Sequence, residues 1–258
     1  MIDTHCHILW NIDDGPVEKD EAIEMCKMAS EDGIEVVVAT PHSLDGQFVN
    51  YPERIVAQTA QLNEALLEEG AALKIFPGME TRICPDLIDG VRTGKVLPIN
   101  QGKYILVEFH PLEIPTGFEN FASILTQQGF CLIIAHPEKN IAIQEHPEFL
   151  FKIINRFQPW EIIGQVTAAS LLGESGTTAY KTSKLLIKNR LVHLMATDAH
   201  SARSRPPLLK EAVQKAALII GEVDANRMVN EIPNAILFGT EFPEWRAPEN
   251  PRRRWWIF

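Results

Sequence analysis

Ionisable side chains crowd the first fifteen residues of this chain, at the end of what is predicted to be its first strand. The stretch MIDTHCHILWNIDDG holds His5, His7, Asp13 and Asp14 beside aliphatic neighbours. His5 and His7 are two residues apart, so on a strand they face the same side and can bind one ion. Imidazole and carboxylate groups without thiolates suit manganese, iron or zinc. The alternatives for this stretch are a hydrogen-bonded turn and a solvated acidic loop.

The elements that must position these groups alternate regularly along the chain. Apolar runs such as EVVVAT, CLIIAH and VHLMAT are typical of strands buried on both faces of a parallel sheet. Amphipathic stretches between them indicate helices that end at glycines such as Gly33 and Gly70. The predicted strands are 2–5, 35–40, 74–77, 104–109, 131–135, 161–166 and 192–197, and the predicted helices are 18–33, 52–70, 85–93, 119–128, 147–155, 176–189, 207–220 and 224–231.

Seven successive strand–helix units predict a single α/β domain with a closed or nearly closed parallel barrel. A doubly wound open sheet is the alternative architecture. No glycine fingerprint for a dinucleotide supports that alternative.

Carboxylate or imidazole groups follow nearly every predicted strand at its carboxyl end. In a β/α barrel the catalytic residues converge at that end, and the opposite end serves stability. Groups of this kind in one small mouth would repel one another unless cations neutralised them. The pattern predicts a site for more than one metal ion, with a buried polar network as the alternative. The groups are His5, His7, Asp13, Asp14, His42, Glu80, Glu108, His136, Asp198 and His200.

A cluster of metal ligands supports hydrolysis, because a metal-bound water loses its proton near neutral pH and becomes a nucleophile. Three cations, Lys139, Arg203 and Arg205, lie beside the ligands in the sequence. Arg binds a phosphoryl group through two parallel hydrogen bonds, and Lys binds it as a point charge. For Arg205 the alternative is a solvated loop charge before two prolines.

Composition excludes several classes of function. The 24 Lys and Arg against 34 Asp and Glu give a net charge of −10, which argues against sequence-independent DNA binding. The chain has neither an apolar run of the roughly 18 to 20 residues that span a membrane nor a secretory signal pattern. Its four cysteines are scattered without a CxxC pair, which fits a reducing compartment. We therefore expect a cytoplasmic protein that binds no nucleic acid.

A series of motifs runs along the chain to about residue 215. They are MIDTHCHILWNIDDG, ATPH, FPGMETRI, KYILVEF, IIAHPEK, QVTAASLLG and LVHLMATDAHSARSRPPLLKEA. These motifs resemble those of the PHP-type (polymerase and histidinol phosphatase) metallohydrolases, and most of all the manganese-dependent tyrosine-protein phosphatases of the capsular polysaccharide CpsB/CapC group. QVTAASLLG and TDAHSARSRPP are much more specific than the two-histidine opening, which amidohydrolases share. The resemblance implies a distorted TIM-like (β/α)7 barrel of the PHP type in one domain, 1–245, with a tail at 246–258.

The resemblance also implies three Mn²⁺ ions, with iron or zinc as alternatives. Asp13 stays an alternative to Asp14, because both lie within reach. The implied ligands are His5, His7, Glu80 and Asp198 for one ion, Glu80, Glu108 and His136 for the second, and Asp14, His42 and His200 for the third.

The catalytic residues implied by the resemblance are Arg205, Lys139, Asp198 and His200. Arg205, in the matched RPP motif, would be the main phosphate clamp. Lys139 stands where the family usually has arginine. The positive charge is kept there but the planar fork is lost.

The implied activity is hydrolysis of phosphotyrosine in the tail of a bacterial tyrosine autokinase that controls capsule or exopolysaccharide synthesis, by attack of a metal-activated hydroxide on phosphorus. A phosphatase of a small phosphate ester such as histidinol phosphate is the main alternative. An amidohydrolase is disfavoured, because Glu80 and Glu108, and no lysine, stand at the ends of strands three and four. A partner-binding barrel without activity is the non-enzymatic alternative.

The C-terminal residues PRRRWWIF lie outside the resemblance. Their tryptophans would either pack on the barrel or a neighbouring subunit, or contact a partner or a membrane surface. A homo-oligomer is left open.

Overall fold

A computed structural model of the chain describes residues 1–250. All of its strand pairs are parallel, and the seven predicted strands are separated by helices, as the sequence predicts. The two short strands that begin at His42 and Glu80 were not predicted, and each follows the strand before it without a helix between them. The strands are β1 (Ile2–Cys6), β2 (Val36–Ala39), β3 (His42–Ser43), β4 (Lys74–Pro77), β5 (Glu80–Arg82), β6 (Tyr104–Glu108), β7 (Cys131–Ala135), β8 (Ile162–Thr167) and β9 (Leu194–Ala196).

Each predicted helix has a counterpart in the structure. Three further helices, α5, α7 and α11, were not predicted, and α5 and α7 span only five residues each, which is too short to show a helical period. The helices are α1 (Lys19–Glu31), α2 (Pro52–Glu68), α3 (Leu87–Arg92), α4 (Phe118–Gln127), α5 (Ile141–Glu145), α6 (Glu148–Arg156), α7 (Ala168–Leu172), α8 (Thr177–Lys188), α9 (Lys210–Ile220), α10 (Glu222–Arg227) and α11 (Glu231–Phe238).

The sequence predicts a closed or nearly closed parallel barrel, whereas the strands of residues 1–250 form two sheets and no closed barrel. One sheet has the order β1-β2-β4, and the other has the order β3-β5-β6-β7-β8-β9. The sheets separate where β2 gives way to β3 across Pro41, which has no N–H to donate to the ladder. β1 meets the segment that follows β9 through an isolated bridge between Cys6 and Ala199. Within the larger sheet the strands follow chain order without the reversal of a doubly wound sheet.

The core lies on both faces of the central strands. On β7, Leu132 and Ile134 belong to a large hydrophobic cluster that also contains side chains of most of the helices. Ile133 belongs to a second hydrophobic cluster, together with Ile232 and Ile236 of α11. Successive strand side chains point to opposite faces, so both faces of this strand are covered. This arrangement explains why the strands read as continuous apolar runs and not as alternating ones.

The described C-terminal residues pack against the amino ends of the strands. The Arg190 guanidinium lies 5.3 Å from the ring centre of Trp245, and the Glu249 N–H donates to the Asn189 carbonyl over 2.8 Å. The two alternatives for PRRRWWIF concern residues 251–258, which lie outside the described residues. Among residues 1–250, no helix combines the length and the apolar character needed to cross a membrane. The four cysteines are free.

Candidate metal centre

Side chains from the carboxyl ends of the strands meet in one cluster, because parallel strands place these ends on the same side of the fold. They arrive from β1, β3, β5 and β6 and from the segments that follow β1, β7 and β9. The members are His5, His7, Asp14, His42, Glu80, Glu108, His136, Asp198 and His200.

The orientation of the His5 ring is fixed by a residue 160 positions away in the sequence. His5 Nδ1 lies 2.8 Å from Gln165 Oε1, and the Gln165 amide donates in turn to Thr4 Oγ1 over 2.8 Å. Because Gln165 offers its oxygen, His5 Nδ1 carries the proton. His5 Nε2 is therefore left with a lone pair that faces the cluster.

The His7 ring is held in the same way by a carboxylate. His7 Nδ1 lies 2.6 Å from Asp13 Oδ2, which also accepts from the His42 N–H over 3.0 Å. His7 Nδ1 donates to Asp13, so its Nε2 faces the cluster, where a metal ion can take the place of the proton on that nitrogen. The two Nε2 atoms of His5 and His7 are 3.2 Å apart. Two ring nitrogens at that distance share a proton or a metal cation, and a carboxylate behind an imidazole is the usual support of a metal-binding histidine.

Glu80 lies at the centre of the cluster and is buried. Its Oε2 is 3.0 Å from His42 Nδ1 and 3.4 Å from the Nε2 atoms of both His5 and His7, yet it has no hydrogen-bond partner among the described residues. Its Oε1 is 2.9 Å from His136 Nε2. Burial opposes the charged form, but the surrounding imidazoles hold the pKa of Glu80 well below its usual range. Glu80 is therefore an anion, and its Oε2 lies where a bound cation would balance the negative charge.

Three groups of potential ligands share members within this cluster. In each group the ligand atoms lie within 4.8 Å of one another. Only nitrogen and oxygen donors are present, which fits manganese, iron or zinc. The groups are His5, His7 and Glu80; Glu80, Glu108 and His136; and His7, Asp14, His42 and His200.

These groups differ from the predicted ligand sets at two residues. Asp198 was expected with His5, His7 and Glu80 and is not a member of the first group, although its Oδ1 lies 3.5 Å from His5 Nε2 and 3.7 Å from His7 Nε2. His7 was expected only in the set of His5, Glu80 and Asp198, and it also belongs to the third group, its ring centre 3.8 Å from that of His200.

The two candidate aspartates have different roles in this geometry. Asp14 Oδ1 faces the cluster, 3.3 Å from His200 Nε2 and 3.6 Å from His42 Nε2. Asp13 instead lies behind His7 and also accepts from the Gly15 N–H over 3.0 Å. Asp14 could therefore bind a metal ion from this position, whereas Asp13 lies where it orients His7.

The two predicted phosphate-binding cations converge on Asp198. Its Oδ2 is 2.6 Å from Lys139 Nζ and 2.8 Å from Arg205 Nη2, and Arg205 also donates to the Asp198 carbonyl over 2.9 Å. Burial would raise the pKa of Asp198, but Lys139, His5 and other cationic neighbours hold it well below its usual range. A cavity of about 220 Å³ opens beside these cations. Arg203 is exposed and lies outside that cavity.

Two charged residues of the site were missed in the sequence. Arg82 Nη2 donates to Glu108 Oε1 over 2.7 Å. Asp3 is buried and accepts from the backbone N–H of Thr197 over 3.0 Å, and burial raises its pKa to about 6. Both lie two residues from a recognised site residue on a strand. The spacing rule that paired His5 with His7 could therefore have found them.

The chain matches the model of one protein family, described as capsular polysaccharide synthesis, CpsB/CapC, over residues 1–238. It is 37% identical over 211 residues to a putative tyrosine-protein phosphatase, CapC, of Staphylococcus aureus, covering 82% of this chain and 81% of that protein. It is 33% identical over 258 residues to the tyrosine-protein phosphatase YwqE of Bacillus subtilis, covering 100% and 99%.

The fold agrees with a solved structure from the same group. That crystal structure, described with YwqE of Bacillus subtilis and CpsB of Streptococcus pneumoniae as metal-dependent tyrosine phosphatases, superposes with a TM-score of 0.90 at 31% identity. The match covers 97% of this chain and 99% of that one. By sequence and by fold, this chain belongs to the CpsB/CapC family.

Proposed function

We propose that this chain is a metal-dependent phosphatase that removes phosphate from tyrosine in a protein substrate. The observation that carries the proposal is the buried Glu80 carboxylate, whose inner oxygen is surrounded by three imidazole nitrogens without a hydrogen bond. Two cations lie next to this cluster on Asp198. The tyrosine-protein phosphatase names of the relatives support the same activity.

The cofactor of this proposal is three Mn²⁺ ions, for which iron or zinc could substitute. Bound metals supply Lewis acidity and lower the pKa of water towards neutrality. The residues that would hold them are His5, His7, Glu80 and Asp198 for one ion, Glu80, Glu108 and His136 for the second, and Asp14, His42 and His200 for the third.

The residues around the centre have distinct tasks in this proposal. Lys139 and Arg205 neutralise the phosphoryl oxygens, and Asp198 holds both cations in position. His200 Nδ1 lies 3.0 Å from the Asp198 carbonyl, which directs its Nε2 towards Asp14.

Hydrolysis breaks the bond between phosphorus and the tyrosyl oxygen, and an oxygen from water bonds to phosphorus. The phenolic oxygen keeps the electron pair and takes a proton, and its ordinary pKa near 10 makes it a better leaving group than a serine alkoxide.

The substrate within this proposal is the phosphotyrosine-bearing tail of a bacterial tyrosine kinase that regulates capsule or exopolysaccharide synthesis, and the compartment is the cytoplasm. The family description, capsular polysaccharide synthesis, supports this choice. A homo-oligomer is compatible with it.

The architecture of this proposal is a distorted (β/α)7 barrel spanning 1–245. Two observations support it. β1 reaches the segment after β9 through the Cys6–Ala199 bridge, and β3 and β5 follow β2 and β4 after breaks of two residues each.

The experiment is phosphate release from a phosphotyrosine peptide by purified protein loaded with Mn²⁺, with a phosphoserine peptide and histidinol phosphate in parallel. We expect turnover of the phosphotyrosine peptide above both other substrates. Preference for histidinol phosphate would favour the small-ester alternative. A folded, metal-loaded protein that releases phosphate from none of them would overturn the proposal.

A further inference from the structure

The motif QVTAASLLG, residues 165–173, has no role in the metal centre beyond Gln165, which orients His5. Its last residues form the short helix α7, which begins where β8 ends, and the Thr167 side chain accepts from the Ser170 N–H at its start. Three residues of this helix, Ala168, Ala169 and Leu172, line the cavity of about 220 Å³ beside Lys139 and Arg205. The motif therefore forms one wall of a space next to the proposed phosphate-binding cations.

The opposite wall comes from the segment after β9. Pro206 and Leu208 line the cavity there, and the Leu208 side chain is 40% exposed although it is apolar. Asp198, with its two cations, lies at the buried end, whereas Glu174 and Ser175 are exposed at the rim. The cavity thus has a charged end, apolar sides and a polar rim.

A buried carboxylate ties the α7 wall to the cation side of the cavity. Glu138 Oε1 accepts from the backbone N–H of Thr167 over 3.0 Å and from its hydroxyl over 2.9 Å. Glu138 directly precedes Lys139 in the chain. The start of α7 and the segment that carries the cation are therefore positioned as one unit, which is what a pocket for a substrate of fixed length requires.

We propose that this cavity holds the aromatic ring of the leaving tyrosine, and that Ala169, Leu172 and Leu208 determine the preference for aryl phosphates. This inference rests on the proposed function. Pockets for whole drug-sized ligands measure roughly 300–1,000 Å³, so a cavity of about 220 Å³ suits one ring and not a longer stretch of peptide. The two alanines leave the space open, and the leucines supply apolar contact to a ring whose phosphate faces the cations.

The first test fills the cavity from α7. In Ala169→Leu, we expect kcat/KM for a phosphotyrosine peptide to fall by about tenfold or more, since one or a few methylenes in an apolar pocket change discrimination by about 10–200-fold. The inhibition constant for inorganic phosphate should stay at the wild-type value, because phosphate needs only the cations and metals. Ala217→Leu, at a partly buried alanine of α9 that does not line this cavity, is the matched control.

The second test replaces an apolar side chain of the opposite wall. This side chain is exposed, so its replacement should leave folding unchanged. In Leu208→Ser we expect a several-fold rise in KM for the phosphotyrosine peptide, and weaker binding of a peptide that carries phosphonomethyl-phenylalanine, with no change in metal content. If both variants keep wild-type kcat/KM and peptide binding, the ring does not occupy this cavity. If the variants lose inhibition by inorganic phosphate to the same extent as they lose activity on the peptide, the cavity binds phosphate. That result would also overturn the inference. Failure of the proposed function would show differently, as a wild-type protein without phosphotyrosine turnover.

Discussion

His7 and His193 are both buried histidines, one at the carboxyl ends of the strands and one at the amino ends. Burial alone would lower the pKa of each ring. At His7 the carboxylates of Asp13 and Glu80 more than offset burial, and the pKa lies well above its usual range. At His193 burial acts without such an offset and lowers the pKa to about 3.

The surroundings explain the contrast. The His193 ring lies 5.6 Å from the Trp160 ring and 5.8 Å from the Trp245 ring, and its Nδ1 accepts from the Gly164 N–H over 3.3 Å. That end is an aromatic cage that keeps a neutral imidazole. The carboxyl end instead keeps anions that attract protons or metal ions to the same place. Chemistry and stability thus occupy opposite ends of the strands, as in β/α barrels generally.

Removal of the metal is the strongest test of the difference between the two ends of the strands. Treatment with EDTA should reduce phosphotyrosine turnover to the background rate, and added Mn²⁺ should restore it. Mn²⁺ should also stabilise the fold, by about 2.7 kcal/mol at one hundred times its Kd. Calorimetry with and without Mn²⁺ measures that shift. An unchanged Tm together with full activity after EDTA would contradict a metal centre.

The next test separates the cations from the ligands at the same end. Arg205→Ala should lower kcat by about two to three orders of magnitude, because it removes a charge that stabilises the transition state, with metal content unchanged. His136→Ala should lower metal content and turnover together. Metal analysis beside kinetics distinguishes the two effects, and Arg203→Ala, at the exposed neighbouring arginine, is the control. Full turnover in Arg205→Ala would exclude its role as a phosphate clamp.

A smaller effect is expected from the residue that orients His7. Asp13→Asn keeps the shape but weakens the 2.6 Å interaction with His7 Nδ1, and should weaken Mn²⁺ binding by about 10–100-fold. Titration of the metal-free protein with Mn²⁺ measures the change. Asp20→Asn, at an exposed position in the first turn of α1, should bind as the wild type does. Identical affinity in Asp13→Asn would remove its orienting role.

The smallest effect concerns the opposite end. The pKa of His193 is about 3 in the folded state and near 6.5 when unfolded, so acid protonates the unfolded state first and stability falls from about pH 6.5 towards pH 3. At pH 5 the loss from this group is about 2 kcal/mol. His193→Gln should lose that much less stability than the wild type between pH 7.5 and 5 in urea melts of metal-free protein. His110→Gln, at an exposed histidine, should behave as the wild type, and a parallel loss in His193→Gln would contradict the cage.

Most of the parallel strands, and the strand ends that carry the candidate ligands, were predictable from short stretches. Apolar runs such as CLIIAH mark a strand by themselves, and the strand direction then places His136 at its carboxyl end. The break between β2 and β3 was not predicted, although Pro41 stands in that segment. A proline interrupts strand pairing only where an adjacent strand would accept a hydrogen bond from the backbone N–H at that position. The tertiary fold determines which strand is adjacent.

The sequence alone determined which residue types gather at the carboxyl ends of the strands, since side-chain periodicity and strand direction are local properties. Only the tertiary structure decided which atoms face the centre. The choice of Asp14 over Asp13, the Gln165 oxygen behind His5, and the meeting of Lys139 and Arg205 on Asp198 all join residues on different loops or strands. Such contacts depend on distances of a few tenths of an ångström, which packing sets and no sequence spacing encodes.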